Sequence, residues 1–158
     1  LYITTRDGSG QWATWLLDAE GGEPRPLPLP EGVMLYHNTF SPDGQRFVAR
    51  CPDRKTHCVY DTAAGDSRPL AGAEAEWYPV SWDRQGRVYF RERQKKIPEV
   101  LWRVGAATGR VERVAELAPP DRAGVLGLSR VVVSQSGEAW AYSLMRRLSD
   151  LYVVSDLQ

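Results

Sequence analysis

No stretch of this sequence approaches the ~20 consecutive apolar residues that a membrane-crossing helix needs, so membrane insertion is not expected. An excess of charge of one sign is missing as well. Twenty Lys and Arg balance twenty Asp and Glu, for a formal net charge of zero. A general nucleic-acid binder usually carries a basic excess, and nucleic acid is not expected as a partner. Cysteine is scarce: Cys51 and Cys58 are too few to frame a disulfide scaffold. The chain opens at Leu1, with no initiator Met, no basic leader and no hydrophobic leader segment. It starts inside what reads as a strand, so we expect a piece of something longer. The 158 residues are one domain's worth of chain, enough to bury a sizeable core.

Catalytic constellations are also missing. There is no G-x-S-x-G nucleophile elbow. Asp43 and Asp83 read as turn residues rather than as a glycosidase pair. The only histidines are His37 and His57, and neither lies near an obvious nucleophile. Gly8-Ser9-Gly10-Gln11-Trp12-Ala13 fits the spacing G-x-G-x-x-A, but here it joins two strands. Phosphate binding by that pattern needs a strand running into a helix, so it reads as a hairpin loop. We assign no catalytic, cofactor or metal residue. Cys51, His57 and Cys58 lie on adjacent strands of one hairpin, where three readings are open. They are packed free thiols, which is the usual state of isolated cysteines, a cross-hairpin disulfide, or part of a metal site short of a fourth ligand.

What the sequence does have is a repeated turn. Phe40-Ser41-Pro42-Asp43-Gly44 carries an apolar residue into a Ser-Pro-Asp-Gly turn, and an alternating strand, Arg46-Phe47-Val48-Ala49, leaves it. Proline presets φ, Asp bonds its own backbone, and Gly supplies the positive φ. Degenerate copies stand at Ser81-Trp82-Asp83-Arg84-Gln85-Gly86 and Ser134-Gln135-Ser136-Gly137. At an offset of 43, Asp18 meets Asp61, Gly22 meets Gly65, and Arg25-Pro26-Leu27 meets Arg68-Pro69-Leu70. Each unit reads as four short antiparallel strands, A to D. Strand A is predicted at 33–40, 77–82 and 126–134. Strand B is predicted at 46–51, 87–91 and 139–144, with 1–6 as a strand B that has no strand A before it. Strand C is predicted at 14–18, 57–61, 99–104 and 150–155, and strand D at 23–29, 67–70 and 110–117. The stretch 112–117 could instead form a turn of helix. Pro24-Arg25-Pro26-Leu27-Pro28-Leu29-Pro30 reads as an outermost strand D, where proline need not donate to a ladder, or else as a polyproline ligand. Several strands are apolar on both faces, Phe47-Val48-Ala49 and Trp140-Ala141-Tyr142 among them. A sheet with one wet face would alternate, so these sheets should be sandwiched between neighbours.

On these residues the chain resembles the WD40-like, TolB-type (PD40) β-propeller repeats, and specifically the C-terminal part of a bacterial propeller domain. The closest matches are Phe40 to Gly44, the strand ending Val59-Tyr60-Asp61 and the turn Ala64-Gly65. The closing stretch, from Ala141-Tyr142-Ser143 to Leu151-Tyr152-Val153-Val154, resembles the last blade of propellers attached to bacterial kinases and winged-helix regulators. The resemblance implies an all-β fold of about three and a half four-stranded antiparallel blades, at 1–30 (incomplete), 31–72, 73–120 and 121–158 (incomplete). Such rings close with four to eight blades. In the third unit Trp82 is read in the place of the turn proline, and Val104-Gly105 stands where strand C should end in Asp.

The function the resemblance implies is a non-catalytic protein- or peptide-binding scaffold or sensor module of a larger bacterial signalling or envelope protein. The alternative is an accessory propeller domain of a prolyl-oligopeptidase-type hydrolase. The expected partner is a protein or peptide, the missing half of the propeller, or a second copy of the chain. Tyr36, His37, Trp77 and Tyr78 begin the A strands and form the candidate contact surface, with inter-blade packing as their other reading. Arg93, Lys95 and Lys96 in one loop, and Arg146 and Arg147 in the same loop of the next unit, could add an anion-binding patch or be ordinary solvated loops.

Overall fold

A computed structural model describes residues 2–6, 12–30, 33, 35–92 and 97–148, with backbone only at 12, 37 and 38. The described residues form β-strands and turns in four antiparallel sheets. None of them belongs to a helix long and apolar enough to cross a membrane. The first sheet holds β1 (Tyr2–Arg6), β2 (Trp12–Leu16) and β3 (Arg25–Pro26). The second holds β4 (Leu35–Phe40), β5 (Arg46–Arg50), β6 (His57–Asp61) and β7 (Ser67–Pro69). In the third are β8 (Trp77–Trp82), β9 (Arg87–Glu92), β10 (Glu99–Gly105) and β11 (Val111–Leu117). The fourth contains β12 (Val125–Val133) and β13 (Trp140–Arg146). Strands follow one another in chain order across each sheet.

Alternation explains how these sheets stack. Successive side chains of a strand point to opposite faces. In β5, Phe47 and Ala49 join Leu27, Cys51, Cys58 and Tyr60 in a core shared with Leu16 of the first sheet. Val48, between them, packs with Val59, Trp77, Val88 and Phe90 toward the third sheet. In β9, Val88 and Phe90 face back to the second sheet, while Tyr89 joins Leu101, Leu117, Leu128 and Val131 against the fourth. The inner strands are neighbours, β4 beside β8 and β8 beside β12. The Tyr36 and Tyr78 rings meet edge to face at 5.4 Å.

Residues 112–117 lie within β11, so the helical option fails: Leu117 is buried in the core facing the fourth sheet, and Val114 packs against it. Arg25–Pro26 is the outer strand of its sheet, paired only to β2, and Leu27 turns inward. This favours the edge-strand reading over a free polyproline ligand. The glycine-spaced loop lies largely outside the described residues, though β1 and β2 on either side of it pair as an antiparallel hairpin. The expected strand C at 150–155 also lies outside them. One expectation needs correction. Trp140 and Ala141 are exposed, so β13 is covered on one face only, through Tyr142 and Leu144.

The cysteines form a disulfide, Cys51–Cys58, with Cα atoms 5.1 Å apart, which corrects the default of free thiols. Both side chains lie on the face of the hairpin that carries Phe47, Ala49 and Tyr60. His57 alternates to the other face, its ring meeting Phe90 at 5.1 Å. The pleat therefore separates the three residues that a metal site would need to bring together.

His57 is fully buried between the second and third sheets. Neither ring nitrogen has a hydrogen-bond partner of ordinary geometry among the described residues. Burial, and then the Arg50 guanidinium, push its pKa down to about 4, while nearby backbone of Trp77 and Glu74 opposes this weakly. The ring is neutral in the folded protein at physiological pH.

Two stability measurements follow from these interiors. Reduction of Cys51–Cys58, which closes a loop between residues seven apart, should lower the unfolding free energy in urea by about 2–3 kcal/mol. For His57, both states are neutral above pH 6.5 and nothing changes. Between 6.5 and about 4 the unfolded chain takes up a proton that the folded chain refuses. Stability should fall across that window by a total of about 3 kcal/mol, then level off. Urea midpoints measured from pH 7.5 to 4 should show this loss, and His57→Phe should flatten it. Parallel pH profiles for the two proteins would contradict the assignment.

Candidate functional site

Three turns at one end of the molecule are built alike, and their bonds define which residues correspond. Ser41, Asp83 and Ser134 each follow the last residue of an inner strand. Each accepts at its side-chain oxygen an N–H from the start of the next strand, from Arg46 at 2.9 Å, Arg87 at 3.0 Å and Ala139 at 3.2 Å. Each backbone carbonyl accepts the N–H of the turn glycine, Gly44, Gly86 or Gly137. Asp83 therefore corresponds to Ser41, and Trp82 to Phe40. The sequence alignment had set Asp83 against Asp43 and Trp82 against Pro42. The turn of the third sheet is one residue shorter after its glycine, and Ser81 and Asp83, two apart like Ser41 and Asp43, hide the register in the sequence.

Asp83 does more than shape its turn. Its carboxylate is fully buried. Oδ1 accepts the N–H groups of Gln85 and Arg87. Oδ2 accepts Arg87 Nε at 2.6 Å and the Tyr89 hydroxyl at 3.1 Å. Four donors satisfy a buried charge that would otherwise be costly. The fourth sheet's turn lies directly against this cluster. Arg84 N–H donates to Gln135 O at 2.9 Å, and a Cβ on Gly137 would come within 2.9 Å of Asp83 Oδ2. Gly137, at φ +75°, meets two demands, a left-handed turn and a close approach. Asp43 is the simpler residue that the sequence suggested: exposed, bonded to Ser41 Oγ and Gln45 N–H, with its carboxyl held below the usual range by those bonds.

The ends of the inner strands and the 17–23 loop of the first sheet enclose an open cleft of about 1020 Å³. β1 is the innermost described strand of its sheet. Its Tyr2 ring lies 5.1 Å from Phe40, and its hydroxyl donates to Tyr36 O at 3.3 Å. Tyr2, Phe40 and Val132 supply apolar wall. Asp18, Glu23 and Asp43 give the lining three carboxylates against the single cation of Arg25.

Two solved chains match this fold. One is the structure described as that of "putative TolB from Agrobacterium tumefaciens", at 21% sequence identity and a TM-score of 0.59. The match covers 92% of this chain and 50% of that one. The chain has a β-propeller fold. It spans about half the length of that solved propeller chain. No family model matches the sequence, and no curated protein does.

Tyr36 and Tyr78 stand near the starts of β4 and β8, the strands whose other ends border the cleft, and their half-buried rings touch. Trp77 is 5% exposed and packs with Val48 and Val59 of the second sheet, the inter-blade packing weighed as its other reading, while its ring stacks on Trp102 of its own sheet at 5.1 Å. The His37 side chain, and Arg93, Lys95 and Lys96, lie outside the described residues. Arg146 sits within β13 rather than in a loop, and its guanidinium holds Asp121 through the carboxylate at 3.1 Å and the carbonyl at 2.8 Å. Arg147 is exposed, with its backbone N–H donating to Gly124 O. The cleft was not foreseen, because its walls come from positions as far apart in the chain as Tyr2 and Gln135. The spacing of the turn repeats is the one signal that could have located it.

The Asp83 cluster ties two turns at the cleft margin. Asp83→Ala should destabilise the chain by about 3 kcal/mol, since Arg87 and Tyr89 lose a buried partner. Asp43→Ala, at an exposed position, should stay within about 1 kcal/mol. Urea denaturation of the two variants checks the contrast, and equal losses would show that the Asp83 turn holds nothing beyond its own hairpin.

Proposed function

We propose that this chain is a non-catalytic, protein- or peptide-binding propeller module of a larger bacterial signalling or envelope protein, and that it takes its ligand in the cleft. The observation that carries this reading is the cleft itself. Four sheets contribute to one concave, half-apolar surface with a charged rim, the kind of surface on which peptides anchor. The turn sequence Phe40-Ser41-Pro42-Asp43-Gly44 supports placing the repeats with the PD40 type, in units at 1–30, 31–72, 73–120 and 121–158. The outer faces of the first and fourth sheets, with Ile3 47% and Met145 57% exposed, support further blades or a second copy completing the ring. No observation favours the alternative of an accessory domain of a hydrolase.

Three carboxylates to one guanidinium in the lining favour a ligand with basic side chains. Peptides selected from a random display library on the full chain should be enriched in Lys or Arg. On titration they should shift backbone amide resonances around Asp18, Phe40, Asp43 and Gln135, and Asp43→Lys should weaken them at least tenfold. Selected peptides that map instead to Tyr36, Tyr78 and Arg147 would move the site to the opposite end. Failure to select any saturable binder would remove the reading.

A further inference from the structure

A second concavity opens at the same end of the propeller, on the third sheet. It measures about 280 Å³ and is built from the 85–87 turn, the end of β10 and the loop that follows it. Three guanidiniums converge on it, from Arg87, Arg103 and Arg110, with the single carboxylate of Glu112. Each arginine is held in place by a carboxylate. Arg87 Nε is bound to buried Asp83 at 2.6 Å. Arg103 is bound to Glu112, and so is Arg110, at 3.0 Å. An arginine carries five N–H donors, so each retains donors beyond those bonds. Glu112 is shared between two cations, and its carboxyl is held below the usual range, by Arg103 first.

The repeat shows what is absent from this concavity. In the second sheet, Asp61 ends strand C, and its Oδ1 accepts the N–H groups of Ala63 and Ala64, each at 2.8 Å. In the first sheet, Asp18 accepts the N–H of Glu20 in the same manner. Gly105 holds the corresponding place in the third sheet: the N–H of Gly109 donates to its carbonyl as that of Gly65 donates to Asp61. The carboxylate present in two repeats is therefore missing from the one that gathers three arginines. Ala107, corresponding to Ala63, is exposed, and its N–H has no partner among the described residues. The Thr108 hydroxyl takes the space that a Gly105 Cβ would need. It accepts the N–H of Arg110 at 3.2 Å and keeps its own proton to donate.

We propose that this arginine-lined concavity is an oxyanion site that takes a phosphoryl group, with Arg87, Arg103 and Arg110 supplying charge, the Ala107 N–H supplying a donor whose counterpart at Ala63 goes to an aspartate, and the Thr108 hydroxyl supplying one that the second sheet lacks. Guanidinium forks fixed by carboxylates bind phosphate oxygens in pairs. The Ala107 N–H adds one backbone donor, since those of Ala106, Thr108 and Gly109 are taken by the carbonyls of Gly86 and Gly105. The group comes either from free phosphate or from a phosphorylated side chain, and the chemistry is the same.

The test is a titration of the full chain at constant ionic strength with inorganic phosphate and with a short phosphoserine peptide, against chloride as the reference, followed by amide resonances. Saturable shifts at Gly105, Ala107, Thr108 and Arg110 are expected. A phosphopeptide that binds at least tenfold more tightly than phosphate identifies a modified partner as the source, and the reverse order identifies free phosphate. Arg110→Ala, at a side chain 78% exposed, should weaken binding about tenfold without altering the urea midpoint. Gly105→Asp with Thr108→Ala restores the aspartate of the other repeats and should abolish the response. No saturable response beyond chloride, or a response that both variants retain, overturns the proposal.

Discussion

Everything in this molecule depends on strands that must satisfy two neighbours at once. β5 and β9 are buried on both faces at their centres, Phe47 to Ala49 and Val88 to Phe90. Phe47 and Val48 are one position apart and belong to different hydrophobic layers. A one-residue slip would exchange the two layers, so register is held from both sides. The turn glycines make that register reachable. The rest of the architecture follows: inner strands brought side by side, turns gathered at one end, and a cleft where the strands end.

The polar groups inside these layers differ in what they are given. Asp83 sits in the interior with four donors around it, and it ties one turn to the next. His57 sits in the preceding layer with no hydrogen bond of ordinary geometry, held neutral by burial and by Arg50. Both are fully buried, but the first is a satisfied charge and the second a ring kept from its charge. The interface between the third and fourth sheets therefore gains specificity from its polar cluster. The one between the second and third has the Arg50 guanidinium donating to Ala75 O at 2.6 Å and carries in His57 a liability in acid.

Much of this fold was legible in the sequence because it rests on local rules. The bounds of β6 and β8 match those read from alternation and turn residues, and Val114 and Leu117 behave as strand residues in β11. Three things were not legible, each for a physical reason. The correspondence of Asp83 with Ser41 was hidden because Ser81 and Asp83 repeat the spacing of Ser41 and Asp43, and identity in sequence points to a different register from the hydrogen bonds. The disulfide and the separation of His57 from it depend on which face of a short hairpin is which, and Cys51 lies beyond the last paired residue of β5. The cleft depends on four sheets converging, which no window of sequence contains. The anticipated contact residues were chosen for aromatic content, and for Trp77 that content packs in the core.

Repeats diverge where the fold permits it, and this is the best guide to function in a molecule without an evident catalytic group. The buried positions of the second and third sheets are filled by the same kinds of residue. The loop positions are not. Asp18 and Asp61 become Gly105, and the exposed acid Asp43 faces a cleft that also holds Asp18 and Glu23, while Arg87, Arg103 and Arg110 gather on the third sheet. On a chain with no net charge, one end thus presents an acidic cleft beside a basic concavity. Such a pair of opposite fields selects orientation more than it adds affinity. A ligand presenting a cation and an anion at the matching spacing would be accepted in one direction and repelled in the other. Arg87 also serves the fold through Asp83, but the stacking of the sheets asks nothing of Arg110 or Asp43, and under the proposed reading their asymmetry serves recognition.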